Sequence, residues 1–260
     1  MEPSGTIALS TLSGLPEVQP GDSLSNMIAE AVLASSIQPE DGDVLVLAHK
    51  VVSKREGRLV QLSDVEPGAE AMELAGRLRK DPRKVELILQ ESRQVLRSRL
   101  PRDPGQQGLL ICEHRLGFIC ANAGVDDSNV PGDGVVCLLP LDPDKSARGI
   151  REVLEQDLGC RIGVVITDTF GRPWRVGLMN VAIGLAGIPA NVPLAGSLDH
   201  TGRELRATSP ALADELAAAS GLLMSKAGRV PAVWVQGLHW EESGDSAKDI
   251  LRDKEEDLFL

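Results

Sequence analysis

Val164-Val165-Ile166 is an apolar, β-branched run, followed at once by Thr167-Asp168-Thr169 and then by Gly171, Arg172, Pro173 and Arg175. Such a run predicts a buried strand, and Gly171 and Pro173 predict a turn directly after it. A carboxylate between two hydroxyls then stands at the rim of a strand, where ligands enter mixed folds. Carboxylate and hydroxyl oxygens are hard ligands suited to Mg²⁺ or Mn²⁺. Arg172 and Arg175 follow within reach of a phosphate that such an ion would hold. The stretch reads equally well as a turn that Asp168 and Thr169 merely cap.

Two other stretches carry chemistry. Ala48 to Arg58 holds Lys50, Lys54, Arg55 and Arg58 directly after an apolar strand, Val44 to Leu47. In an acidic chain it is the best local candidate for a phosphate-binding patch, with a solvated strand end as the plainer reading. Ala121 to Val130 offers Asp126, Asp127, Ser128 and Asn129 as clustered oxygen ligands, and Gly124 permits close approach of backbone to a ligand. Its spacing is not that of a calcium hand, and a plain turn is the alternative.

The elements that must position these groups follow from periodicity. A helix is predicted through Leu24, Met27, Ile28, Ala31 and Val32, capped at Asp22 or Ser23. Two more cover about Ala69 to Arg79 and the stretch opening at Asp81-Pro82, whose core face is Val85, Ile88, Leu89 and Leu96. Strands are predicted at Leu109 to Cys112, Phe118 to Cys120, Val135 to Leu139 and Ala232 to Val235. A helix after Asp144 presents Ile150, Val153, Leu154 and Leu158 and stops at Gly159. Ser209-Pro210 starts another, and a short one is expected through Ile250 to Leu258.

Bulk properties narrow the class. A chain of 260 residues, 42% hydrophobic, can bury a sizeable core. A net charge of −11 argues against nonspecific nucleic-acid binding and against an anionic membrane surface. No apolar run approaches the roughly 20 residues of a membrane span, and the first residues lack a secretory pattern. Cys112, Cys120, Cys137 and Cys160 form no C-x-x-C pair and read as reduced, buried thiols of a cytoplasmic protein. The four histidines are scattered, which makes a zinc site unexpected. There is neither a P-loop nor a strand-linked G-x-G-x-x-G, so a nucleotide would bind through neither a P-loop nor a Rossmann fold.

Taken together, seven segments resemble one family. They are S-K-x-E-G-R at Ser53 to Arg58, K-D-P at Lys80 to Pro82 and A-N-A-G-V-D-x-S-N-V at Ala121 to Val130. L-P-L-D-P-D-x-S-A at Leu139 to Ala147, I-T-D-T-x-G-R at Ile166 to Arg172, A-I-G at Ala182 to Gly184 and G-R-E-L at Gly202 to Leu205 complete the order. The set resembles the gamma-glutamyl ligases that finish the deazaflavin coenzyme F420.

The resemblance implies a GTP-dependent ligase that adds L-glutamate to coenzyme F420-0 through an acyl phosphate and then extends the tail by gamma-linkages. It implies an α+β fold of mixed β-sheets with packed helices, in two interleaved lobes of an intertwined homodimer. The whole of residues 1–260 would be one ligase module, without the reductase-like domain found fused in bacteria. Mg²⁺ or Mn²⁺ and K⁺ are the implied ions. Leu15, Pro16, Glu17 and Val18 fall on one nucleotide-binding segment, and His49, Lys50 and Lys54 on a second. Asn129 falls on another nucleotide contact. Met224, Ser225, Lys226, Ala227, Gly228, Arg229 and Val230 fall on a loop closing over the nucleotide. Asp126 and Asp168 match ligands of one metal, Thr169 a ligand of another. Asp126, Asp168, Arg172 and Arg175 are then the candidate catalytic residues.

Two departures matter. Lys226 stands where the resemblance implies an acidic metal ligand, and an ammonium cannot ligate a cation. Asn191 to Gly196 lacks the acidic and aromatic residues expected there, so an amide-forming relative acting on a different acid is an alternative. A non-catalytic nucleotide-binding dimer is another.

Overall fold

A computed structural model describes residues 5–224 and 229–258. In chain order the elements begin β1 (Ala8–Thr11), α1 (Leu24–Leu33), β2 (Asp43–Ala48), α2 (His49–Arg55), β3 (Leu59–Gln61), α3 (Ala69–Leu78) and α4 (Pro82–Gln90). They continue β4 (Ser92–Arg99), β5 (Leu109–His114), β6 (Ile119–Ala121), β7 (Val135–Cys137) and α5 (Pro143–Leu158). Last come β8 (Ile162–Arg172), β9 (Arg175–Ala186), α6 (Leu212–Ser220) and β10 (Ala232–Gln236). The architecture is mixed α+β with separate sheets, as expected. No helix among the described residues is long and apolar enough to cross a membrane.

The principal sheet has the order β1-β10-β2-β8-β9. Its centre is the parallel pair β2–β8; the other pairings are antiparallel. Val44 to Leu47 and Val164 to Ile166 are fully buried. Continuous apolar runs of this kind suit strands covered on both faces. Helix α5 packs on β8 and β9, α1 packs on α5, and α6 covers β9. Asp142 caps α5 by accepting from the Lys145 N–H at 2.9 Å, and Gly159, at φ 70°, stops it.

A second apolar cluster gathers Leu78, Val85, Ile88, Leu110, Cys112 and Val136. Around it lie the three-stranded sheet β4-β5-β6, the ribbon β3-β7 and helices α3 and α4. Asp81 caps α4 with Pro82 at its start, as the sequence predicts.

Three segments depart from the sequence reading. Helix α4 ends at Gln90, so Leu96 lies in β4 rather than on a helical face. The pairing of β4 with β5 outweighs the local helical spacing. The basic segment after β2 is a helix, α2, not a strand end. The end of the chain forms two 3₁₀ turns, Ala247–Ile250 and Lys254–Glu256, rather than one α-helix. The first closes on a capping box between Ser246 and Asp249, and Leu251 leaves it extended at ψ 135°.

Glu91 ties the two clusters together. Its carboxylate accepts from Arg58 Nη2 at 2.8 Å and Arg115 Nε at 3.1 Å, and lies 3.3 Å from His114 Nε2. The same arginines donate to Leu139 O at 2.9 Å and Pro140 O at 2.9 Å. Burial pushes the Glu91 carboxyl up, but His114, Arg58 and Arg115 together bring it down to about 2. A carboxyl with a depressed folded-state value stabilises fully above its ordinary 4.5, and that stabilisation is lost as pH falls toward about 2. Glu91→Ala is expected to lower unfolding stability at pH 7 by roughly 3 kcal/mol, measured by urea denaturation. The variant's stability should also fall less steeply than the wild type's between pH 4.5 and 2.

Candidate active site

A cavity of about 680 Å³ opens where β2 ends beside the middle of β8. That size is typical of a small-molecule site, and crevices beyond parallel strand ends are the usual location. Register does the placing: Ala48 pairs with Thr167, so the first residue of α2, His49, emerges beside Asp168. His49 Nε2 lies 3.3 Å from Asp168 Oδ1 without hydrogen-bond alignment. Its Nδ1 lies 3.2 Å from Ser53 Oγ, one helical turn on.

Strand β8 does not end at Ile166. It continues through Arg172, paired with β9, and the turn falls at Pro173-Trp174. Thr167, Asp168 and Thr169 are therefore mid-strand residues. A register shift between Ile166 and Thr167 sets Ile183 as an extra residue in β9, and such bulges re-aim side chains. The Thr167 hydroxyl donates to Val181 O at 2.8 Å. Asp168 Oδ1 accepts from the Thr169 N–H at 2.7 Å. The Thr169 hydroxyl donates to Asn180 Oδ1 at 3.0 Å, and a hydroxyl that donates keeps lone pairs to accept or ligate.

Asp126 reaches the same cavity from the other cluster. Its backbone exchanges hydrogen bonds with Cys137 at 3.1 and 2.7 Å, and its carboxylate accepts from the Ser128 N–H at 3.0 Å. Lys50 Nζ donates to Asp126 Oδ2 at 2.6 Å, to Ser128 Oγ at 2.8 Å and to Ser128 O. Burial pushes the Asp126 carboxyl up, but Lys50 and Ser128 outweigh it and hold the group well below the usual carboxylate range. Lys54, one turn after Lys50 on α2, pairs with Glu17. Both lysines therefore already carry partners.

Leu15, Pro16, Glu17 and Val18 form one wall, and Asn129 lies near Asp126. Met224, Arg229 and Val230 also line the cavity; Ser225, Lys226, Ala227 and Gly228 lie outside the described residues. Arg172 and Arg175 are not brought to the cavity. Because β8 runs on, they sit at the hairpin tip, where Arg172 Nη2 donates to Val176 O at 2.8 Å and Arg175 is exposed.

Asn180, Asn122 and Cys120 also line the cavity, and the sequence reading gave none of them a role in a site. Asn180 faces Thr169 only through the bulged β8–β9 register. Asn122 stands in the Ala121 to Val130 segment without an apparent local role. Cys120 is buried, and burial, with the Asp168 charge adding to it, pushes its thiol up to about 12.

No group of three or more His, Cys, Asp or Glu side chains among the described residues could cage a metal ion. The two carboxylates and the Thr169 hydroxyl instead suit an ion that takes one or two carboxylates and completes its shell with phosphate oxygens and water, as Mg²⁺ does. Lys50 on Asp126 shows that this carboxylate already accepts a cation at close range. Lys50→Met is expected to move the Asp126 carboxyl upward, since burial would then act without its counter-charge; ¹³C-detected titration reads the direction. An unmoved or lower value would show that Lys50 does not hold the group ionised.

Residues 14–237 match the family model described as F420-0:gamma-glutamyl ligase. A coenzyme F420:L-glutamate ligase of Methanopyrus kandleri is 45% identical over 248 residues, 94% of this chain and 93% of its own length. One from Methanothermobacter thermautotrophicus is 41% identical over 256 residues, 97% and 98% of the two chains. A third, from Archaeoglobus fulgidus, is 41% identical over 249 residues, 95% and 94% of the two. The family match spans both aspartate-bearing segments and the α2 lysines that meet them in the cavity, and the chain belongs to the F420-0:gamma-glutamyl ligase family.

Proposed function

We propose that this protein joins the carboxylate of coenzyme F420-0 to L-glutamate, driven by GTP, and then extends the tail through gamma-linkages. The observation that carries the reading is the convergence of Asp126, Asp168 and the α2 basic residues on one cavity, in a chain that matches ligases over nearly its whole length. Amide formation from a carboxylate and an amine in water is uphill, so the carboxylate must be activated. Transfer of the GTP γ-phosphoryl group to a carboxylate oxygen gives an acyl phosphate and GDP. The amine nitrogen then forms the C–N bond while the C–O bond to phosphate breaks.

Several negative charges meet in the first step, so catalysis is mainly positioning and neutralisation. Asp126, Asp168 and Thr169 would hold Mg²⁺ or Mn²⁺. Bound there, the cation supplies charge neutralisation to the triphosphate. Lys50 and Lys54 exchange their carboxylate partners for phosphate oxygens. His49 is buried beside Asp168 on the same wall. Leu15 to Val18, Asn129 and the Met224 to Val230 loop would enclose the nucleotide. A K⁺ requirement is carried by the family resemblance alone.

The homodimer belongs to the same proposal. Trp174, Val176 and Leu178 at the β8–β9 tip are 82%, 98% and 64% exposed. Exposed apolar side chains alternating along one hairpin suit contact with a second copy.

Incubation with GTP, Mn²⁺, L-glutamate and coenzyme F420-0 should yield GDP and a mass gain of one glutamyl unit. GDP formed only with another acid would select a related amide-forming activity. Asp168→Asn should reduce GDP formation by at least about a hundredfold while circular dichroism stays unchanged; near-normal turnover removes the metal role. Lys226→Glu should increase the divalent ions bound per subunit, read by a metal titration. Light scattering should give twice the chain mass for the wild type, and Val176→Asp should raise the dimer dissociation constant at least about tenfold.

A further inference from the structure

We propose that the Asn122 carboxamide is the docking point for the attacking amine of the amino-acid substrate; the inference rests on the ligase reading above. Asn122 lines the cavity, and its Oδ1 is buried with no hydrogen-bond partner among the described residues. A buried acceptor left unpaired is costly, and folded proteins keep few of them.

The backbone holds this group in place against its own preference. Asn122, Ala123 and Gly124 have φ values of 51°, 48° and 68°, three left-handed residues in succession. Asparagine and glycine tolerate that region, but alanine does not. Ala123 is 1% exposed, and the Val125 N–H closes the turn on Asn122 O at 2.9 Å. A Cβ at Gly124 would lie 2.8 Å from Leu139 Cγ, so the turn is fitted to its packing. Observed strain of this kind at a cavity wall points to a functional constraint.

Position and chemistry select the ligand group. The segment starts at Cys120, close enough to Asp168 for its charge to raise the thiol, and ends at Asp126. Asn122 therefore follows directly on β6, which packs against β8, and precedes Asp126 on the wall of the same cavity. The γ-phosphoryl group and the acceptor carboxylate present only acceptor oxygens there at neutral pH. Of the groups that react, the amine is the one that brings N–H donors. The amino group enters as an ammonium and first gives one proton to a phosphate oxygen; Asn122 Oδ1, its side chain turned toward the cavity, then accepts one of the remaining N–H groups, which aims the freed lone pair at the acyl carbon. As the C–N bond forms, phosphate leaves with the electrons of the C–O bond, and the surplus amine proton goes to the departing phosphate. Asn122 gains no proton.

Two substitutions suit the left-handed backbone. Asn122→Gly removes the carboxamide without strain, and Asn122→Asp keeps an acceptor. With purified full-length protein, GTP, Mn²⁺ and coenzyme F420-0, the KM for L-glutamate is measured for both. Asn122→Gly should raise it about ten- to a hundredfold, the range expected for a hydrogen bond to a charged group. Its KM for GTP should stay within about twofold, and Asn122→Asp should hold the glutamate KM within about threefold of wild type. An unchanged glutamate KM in Asn122→Gly overturns the proposal. So does an Asn122→Asp variant as impaired as Asn122→Gly with a raised KM for GTP, which would mark the buried end as a donor to phosphate. A wild-type protein that forms GDP and a glutamyl product while both variants match it sinks this inference alone. A wild type that forms no glutamyl product removes the ligase reading and this inference with it.

Discussion

The parallel pairing of β2 with β8 is the constraint on which the site depends. A slip of one residue would exchange the faces of every side chain along β8 and carry Asp168 away from the cavity. Burial on both faces does not by itself forbid such a slip, because β-branched residues would still be covered. Two close fits do. A Cβ at Gly163 would lie 2.1 Å from Ile188 Cγ2, and one at Gly184 would lie 2.5 Å from Pro143 Cβ. A side chain at Gly163 of β8 or Gly184 of β9 would meet these groups, so a slip of either strand along its neighbours brings a clash.

The second apolar cluster reaches the same cavity by a different physical route. Asp126 is anchored by its backbone to Cys137 of β7 and by its carboxylate to Lys50 of α2. An ion pair with side chains 17% and 37% exposed adds little net stability once desolvation is counted. Its value is geometric: it fixes where one cluster's loop meets the other's helix. The Glu91 network holds the same two bodies at a second point, remote from the chemistry. Together the two attachments make the cavity a junction of rigid parts.

Much of this was legible in the chain itself. The buried runs Val44 to Leu47 and Val164 to Ile166, the Asp81-Pro82 start of α4 and the Gly159 stop of α5 follow from local rules. What failed had long-range causes. Nothing local says that β8 continues past Thr169; its pairing with β9 decides that, and Arg172 and Arg175 move to the hairpin tip as a result. Asn180 meets Thr169 only through a bulge in that pairing. Leu96 sits in a strand because β5 is there to receive it. The oxygen-rich segments were visible as separate candidates, but their meeting in one cavity is a tertiary fact. The family resemblance implies it, by matching Asp126 and Asp168 to ligands of one metal.

Cys120 brings a last consequence. On the reading proposed above, the activated acyl group is an electrophile, and any thiolate in the same chamber would capture it as a thioester. With its acid dissociation displaced to about 12, this sulfur stays protonated at physiological pH and is a poor nucleophile. The apolar packing around β6 thus keeps a potential rival chemically silent and leaves the incoming nitrogen without competition from the wall of its own reaction chamber.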